Sequence, residues 1–185
     1  VPASGSVLVI VGPLAAPADA AGRLGAIAGE ASAEPGGRVG GPAPREVVIA
    51  VCYDRAYAPD LEGLAGELGM AAEEVVSRHA GARYTVECLG FSPGFAYLAG
   101  LPDSLHAPRR GRPRPRVPAG SVGIAGDRTG VYPHATPGGW RLIGRTPMGL
   151  FDVTREPPAV LAVGDAVRFE PITREAFVRL AGGEA

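Results

Sequence analysis

The chain has 185 residues, with 18 basic against 19 acidic side chains for a net charge of −1, and 46% of its residues are hydrophobic. That length and apolar content support one domain, or one domain plus a fragment of another, and exclude a disordered tail. A charge so near zero excludes the broad field of a general nucleic-acid or anionic-membrane binder, so partners have to be recognised locally.

All 18 basic residues are Arg and none is Lys. The chain itself therefore offers no Walker-type lysine for a phosphate, no Schiff base to pyridoxal phosphate and no lysine to carry biotin. The cationic chemistry left is the planar guanidinium fork, which suits a carboxylate or a phosphate. A compositional bias of the coding genome accounts for the missing Lys equally well.

In chain order, residues 7–11 (VLVIV) form a short apolar run suited to a buried strand, and the Ala-rich stretch 18–33 favours helix. Together they resemble the tail of a small α/β unit. Residues 35–44 (PGGRVGGPAP) hold three Pro and four Gly and continue neither element, so a linker is expected at 35–45, dividing 1–34 from 46–185. A strand is predicted over 46–53. Over 60–70, Leu61, Leu64 and Leu68 share one helical face behind Asp60 as the expected N-cap, and a second helix is predicted over 72–79.

From Arg83 the apolar period falls to two, because Tyr84, Val86 and Cys88 alternate with Thr85, Glu87 and Leu89; this predicts a strand over 83–89. Between residues 90 and 149 there are 12 Gly and 9 Pro, which excludes long helices. Short strands are expected at 121–125, 130–132, 140–143, 150–153 and 167–171, a spacing that suits a compact barrel or sandwich rather than a doubly wound sheet.

Cys52 and Cys88 lie in apolar stretches, too few and too far apart for a zinc framework, and read as buried reduced thiols. His79, His106 and His134 are isolated from one another, so no metal is expected. No apolar run reaches the length of about 18 residues that a bilayer requires, and the chain opens at Val1 with no Met and no basic leader; a cytoplasmic protein lacking its natural start is the expectation.

Residues 108–118 (PRRGRPRPRVP) place five Arg within eight positions and alternate them with Pro, which keeps the segment extended. Arg112, Arg114 and Arg116 share parity and are expected on one side, around an anion or as a solvated face of ion pairs. Arg116 abuts the Gly-rich stretch 117–126, in which Gly120, Gly123 and Gly126 either open a backbone nest for an anion or bend a barrel strand. Without a strand–turn–helix setting the bend is favoured. TPGGW (136–140) and GRTP (144–147) bracket a strand with a hydroxyl, the sole Trp and another Arg, so Trp140 is either core or a pocket wall. GFSPGFAYL (90–98) sets Phe91, Phe95 and Tyr97 about a turn, as a plug or a pocket lip. Asp127 and His134 are the acid–base candidates, more readily surface residues, and no GxSxG elbow is present.

Taken together, GFSPGFAYLAGLP, PRRxRPRPRVPAGSVGIAG, TGVYPHATPGGWRLIGRTP and LFD resemble the family of the B-type subunit of bacterial 5-oxoprolinase. That family also contains allophanate hydrolase subunit 1, the Kip-type histidine kinase inhibitor and one half of the urea carboxylase carboxyltransferase domain. The resemblance spans roughly residues 46–173. It implies a mainly β fold with some α+β character: a cyclophilin-like closed β-barrel over 46–185, preceded at 1–34 by the C-terminal remnant of a small α/β domain. It also implies a cytoplasmic, ATP-dependent complex that opens 5-oxoproline to glutamate. The implied partners are a sister carboxyltransferase-like subunit (the C-type subunit of 5-oxoprolinase, or allophanate hydrolase subunit 2 type) and a LamB-like subunit, with no nucleic acid and no membrane. By motif position, Arg109, Arg116, Ser121, Tyr132, Thr136, Trp140 and Arg145 are the substrate- or anion-binding candidates, and no catalytic residue is assigned. The alternatives implied are a carboxyltransferase or allophanate hydrolase subunit acting in urea-type amide metabolism, and the kinase inhibitor.

Overall fold

A computed structural model describes residues 45–182, together with a short antiparallel pairing of Pro2–Ala3 with Ser6–Val7. The chain divides into two compact units, Val1–Ala43 and Pro44–Ala185. The helix expected over 18–33, the linker before residue 45 and, beyond Val7, the strand expected over 7–11 lie outside the described residues.

The second unit is built from β1 (Glu46–Val51), α1 (Leu61–Leu68), α2 (Ala72–Gly81), β2 (Tyr84–Leu89), β3 (Ala96–Ala99), β4 (Arg114–Val117), β5 (Ser121–Ala125), β6 (Arg128–Val131), β7 (Thr136–Gly138), β8 (Arg141–Arg145), β9 (Ala166–Pro171) and α3 (Arg174–Gly182). Seven strands form one sheet in the order β8-β5-β6-β3-β2-β9-β1, antiparallel throughout except for the β9–β1 pair. The two edges meet where Cys52, just past β1, exchanges backbone hydrogen bonds of 2.8 and 2.9 Å with Arg145 at the end of β8. That bridge closes the sheet into a barrel, as the family resemblance implies, and so decides between the barrel and the sandwich that the strand spacing left open. Closure removes the unpaired strand edges that otherwise invite aggregation.

The two-residue period sorts side chains between the inside and the outside of the barrel. Val122 and Ile124 of β5, Ala96 and Leu98 of β3, Val131 beyond β6's Thr129, and Ile143 of β8 belong to the main core with Ile49, Val51 and Leu64. Their neighbours Ala125, Phe95 and Leu142 belong to a second, smaller cluster with Val117, Tyr132 and Trp140, against which Tyr97 packs. All five residues of β5 are consequently buried, as a strand covered on both faces must be.

Four local expectations change. Asp60 makes no side-chain capping bond at the start of α1; its carboxylate is taken up elsewhere. The strand expected at 150–153 is a turn carrying a single Phe151–Ala159 bridge, because Asp152 accepts hydrogen bonds from the Thr154 amide (2.9 Å) and hydroxyl (2.7 Å) and so competes with ladder pairing. Residues 96–99, read only as part of an aromatic turn, form β3. Helix α3 was not predicted, although Thr173 begins it by accepting the Ala176 amide at 3.2 Å.

His79 on α2 is fully buried in the core. The Thr129 hydroxyl donates to the Gly123 carbonyl (3.0 Å), so its oxygen accepts from His79 Nε2 (2.9 Å), leaving Nδ1 to accept the Tyr53 hydroxyl at 2.8 Å. The ring is thereby satisfied as the neutral imidazole and stacks on Phe169 at 4.5 Å. Burial pushes its pKa down to about 3. The unfolded chain, with an ordinary His near 6.5, takes up a proton that the folded chain refuses, so stability falls as pH drops from about 6.5 towards 3. In urea titrations between pH 7 and 5, His79→Leu is expected to be less stable than the parent at pH 7. It is also expected to lose a slope approaching 1.4 kcal/mol per pH unit at the acid end. An unchanged slope would show that His79 is not the group responsible.

Candidate functional site

The outer face of β3, β6, β5 and β8 carries Phe95, Tyr97 and Trp140 over strand positions occupied by Gly130 and Gly123. A Cβ at Gly130 would lie 3.2 Å from both the Phe95 and Trp140 rings, and one at Gly123 would lie 3.0 Å from the Trp140 Cβ. These glycines make room for aromatic rings laid against the sheet. Phe95 meets Tyr97, Tyr132 and Trp140 edge to face at centroid distances of 4.9, 5.3 and 5.4 Å, the arrangement aromatic quadrupoles favour. The antiparallel ribbon of β4 and β7 lies beside them, with the Tyr132 hydroxyl so close to Gly138 that a Cβ there would sit 2.5 Å away.

Between ribbon and sheet lies a cleft of about 150 Å³ lined by Phe91, Tyr97, Arg109, Arg110, Tyr132 and Trp140, with Phe95, Pro113, Gly138 and Gly139 completing its wall. Phe91 at its mouth is 60% exposed and holds a left-handed backbone, φ 68°. For a bulky residue that conformation costs on the order of 1–3 kcal/mol and persists only where surrounding structure imposes it. Its ring packs edge to face on Phe95 and Tyr132. Burial is the main cause that raises the Tyr97 and Tyr132 phenols above their ordinary pKa, and the Arg109 charge opposes it at both. Both phenols therefore act at neutral pH as O–H groups.

Asp60 fixes the cationic side of the cleft. It is only 7% exposed. One oxygen accepts Arg110 Nη1 at 2.8 Å and Arg114 Nη2 at 2.7 Å, and the other accepts the Leu142 amide at 2.7 Å. Burial alone would raise its pKa, but the Arg114 hydrogen bond, the Leu142 amide and the two guanidinium charges outweigh that and hold the carboxyl below its usual range. The Arg110 amide also donates to Gly139 at 2.8 Å, tying the Arg-rich loop to the end of β7. Arg110 and Arg114 thus share the single carboxylate of Asp60 while Arg109 lines the cleft beside Arg110, leaving an excess of positive charge at the cleft. Arg110 Nε, Arg114 Nη1 and the Thr136 hydroxyl are buried without hydrogen-bond partners, which marks spare donor capacity close to this cleft.

Of the residues singled out by motif, the structure gathers Arg109, Tyr132 and Trp140 into the cleft wall, with Thr136 in the adjoining ribbon at the register position opposite Val117. Ser121 is buried at the start of β5, and Arg145 lies in a different groove, donating from Nε to the Ala119 carbonyl at 2.8 Å and covering the Phe177 ring. Arg112, Arg114 and Arg116 do not converge: Arg112 precedes the strand, a bulge follows between Arg114 and Val117, and Arg114 turns to Asp60 while Arg112 and Arg116 are exposed. Arg116→Ala should therefore leave the unfolding free energy within about 0.5 kcal/mol of the parent in a urea titration, the usual range for a surface change. A larger loss would reveal a structural tie. The Gly-rich stretch bends strands rather than forming an anion nest: the Gly120 amide donates to Tyr132 and the Gly126 amide to Ala107, both at 2.7 Å. Sequence reasoning missed the Asp60–Arg110–Arg114 cluster, whose members lie at least 50 residues apart across the acid–base contact. Asp127 is paired with Arg128 on the surface, and His134 is exposed.

This fold, a closed barrel with an aromatic and arginine-lined cleft on its outer face, belongs to a defined class: the family model for carboxyltransferase domain, subdomain C and D, matches residues 1–161, and the chain is a member of that family. Within it, the chain is 53% identical over 130 residues to the B-type subunit of 5-oxoprolinase from Escherichia coli O157:H7, covering 70% of this chain and 60% of that protein. It is 49% identical over 133 residues to the corresponding 5-oxoprolinase subunit of Bacillus subtilis strain 168, covering 72% and 55%. The chain thus spans little more than half the length of these curated relatives. Among solved structures, a conserved uncharacterised protein of Pyrococcus horikoshii superposes with a TM-score of 0.70 at 44% identity, over 72% of this chain and 62% of that one. The urea amidolyase of Kluyveromyces lactis shares the fold, with a TM-score of 0.61 at 22% identity over 74% of this chain and 10% of that protein.

Proposed function

We infer that the chain works as a subunit of an ATP-dependent 5-oxoprolinase complex, in which water is added across the lactam C–N bond of 5-oxoproline to give glutamate. The observation that carries this reading is identity of 46–53% to three proteins named as the B-type subunit of 5-oxoprolinase, over 125–133 residues. At such identity a shared site is expected, and the cleft offers cationic and aromatic groups suited to a small ring acid. The first unit is read, from the family resemblance, as the C-terminal part of a small α/β domain, and the complex as cytoplasmic. No helix among the described residues is long and apolar enough to cross a membrane.

ATP does not fit the cleft. A volume of about 150 Å³ falls short of the roughly 300–1,000 Å³ that drug-sized ligands occupy. The cleft is therefore not the nucleotide's site, and ATP is placed elsewhere in the complex. This chain's residues serve to bind and orient the ring acid and to exclude water from its apolar side.

Reconstitution tests the reading. Glutamate release from 5-oxoproline is expected only when this chain, both companions and ATP are present, while calorimetry on this chain alone should detect weak ATP binding at most. A complete complex that carboxylates urea and leaves 5-oxoproline intact would overturn it.

A further inference from the structure

We propose that the outer-face cleft binds a small cyclic amide bearing a carboxylate, with Arg109 clamping the carboxylate, Arg110 Nε donating to the ring carbonyl, and Phe91, Tyr97 and Trp140 enclosing the ring. The proposal rests on the oxoprolinase reading for the ring amide, and on the cleft itself for charge, size and shape.

Charge selects an anion, because Arg109 and Arg110 line the cleft, no acidic side chain among the described residues does, and Asp60 behind it is already committed to Arg110, Arg114 and the Leu142 amide. Arg109 is exposed and makes no ion pair among the described residues, so its fork is available. One planar fork matches the two oxygens of a carboxylate. A phosphate group usually gathers several converging donors, and the amides of Gly120 and Gly126 in the Gly-rich stretch are taken up by Tyr132 and Ala107, so that stretch adds no phosphate nest and the carboxylate is favoured. Size excludes extended ligands. The aromatic walls bind an uncharged ring by area rather than by direction, and the Tyr97 and Tyr132 hydroxyls, protonated at neutral pH, add no competing negative charge. Arg110 lines the same cleft, and its buried, unpartnered Nε supplies the one polar contact that a ring carbonyl needs. The strained, exposed Phe91 at the mouth is explained as a wall held in place for a ligand.

Trp140 is the chain's sole tryptophan, so its fluorescence reports occupancy of this cleft directly. Titration of the 185-residue chain with 5-oxoproline should change Trp140 emission saturably. 2-Pyrrolidinone, which keeps the ring amide and lacks the carboxylate, should need at least about tenfold higher concentration, and acetate should give no saturable change. In the assembled complex, Arg109→Ala should raise the KM for 5-oxoproline about tenfold to a hundredfold, in line with the loss of a charge-assisted pair, with a smaller effect on kcat and an unchanged melting temperature. Arg109→Lys should recover only part of the loss. Where the complex turns over, KM decides: a normal KM in Arg109→Ala overturns the site and leaves the oxoprolinase reading standing. Where it does not open 5-oxoproline, emission decides: an Arg109-dependent Trp140 response keeps the site while the activity falls, and no response removes both.

Discussion

Asp60→Ala is expected to lower the melting temperature by roughly 10 °C and to abolish ligand-dependent change at Trp140. The carboxylate is buried and carries three donors, from Arg110, Arg114 and the Leu142 amide. Removing it strands two partly buried guanidiniums and a buried strand amide. Breaking a buried pair by deleting one partner costs about 3–5 kcal/mol, and the one-third and one-fifth exposure of the two Arg side chains moves the expected loss towards the lower end. At this chain length each kcal/mol shifts the midpoint by roughly 2–4 °C. Asp60→Asn keeps an acceptor for Leu142 and should fall between. The pH dependence has a definite sign, because the folded pKa of Asp60 is depressed. Its contribution is complete above the unfolded value of about 3.9 and disappears as pH falls through the lower folded value. Calorimetric scans of parent, Asp60→Asn and Asp60→Ala check all of this. An Asp60→Ala midpoint within 2–3 °C of the parent, roughly one kcal/mol, would show that the Arg–Pro loop is held by other contacts.

Gly120→Ala is the second large effect expected. Gly120 has φ 79°, its amide donates to the Tyr132 carbonyl at 2.7 Å, and its carbonyl accepts the Thr146 amide at 2.9 Å. A Cβ would lie 2.3 Å from the Thr146 oxygen. The obstacle is backbone on both sides and cannot rotate away. The left-handed conformation alone costs an L-residue about 1–2 kcal/mol, and overpacking adds about 1–3 kcal/mol, so a loss of roughly 3 kcal/mol is expected in a urea titration. Gly126→Ala supplies the control, since Gly126 has φ 61° with nothing within 4 Å of its Cβ, and should lose only the conformational part. Equal losses in the two variants would refute the steric account.

Much of the barrel was legible from local chemistry. The strand at 121–125 matches β5 residue for residue, and the switch of apolar period at Arg83 locates β2, because a strand with one buried face must alternate. The expected helices overlap α1 and α2, since Leu61 and Leu64 recur at helical spacing and are both buried. The turn at Asp152 and helix α3 escaped, because a single side-chain oxygen decides each and apolar periodicity does not register it.

The site divides along the same line. Composition by itself determined that the cationic chemistry here is arginine's alone, and the motifs placed Arg109, Tyr132 and Trp140 among the residues to watch. Which arginine is free and which is structural was decided only by tertiary structure. Arg110 and Arg114 are spent on Asp60, a residue that local reasoning assigns to a helix cap, while Arg109, beside Arg110 in the sequence, is left available. Barrel closure and the β4–β7 ribbon bring these groups together across at least 50 residues. An ion pair is a property of distance in space, and a sequence pattern records only distance along the chain.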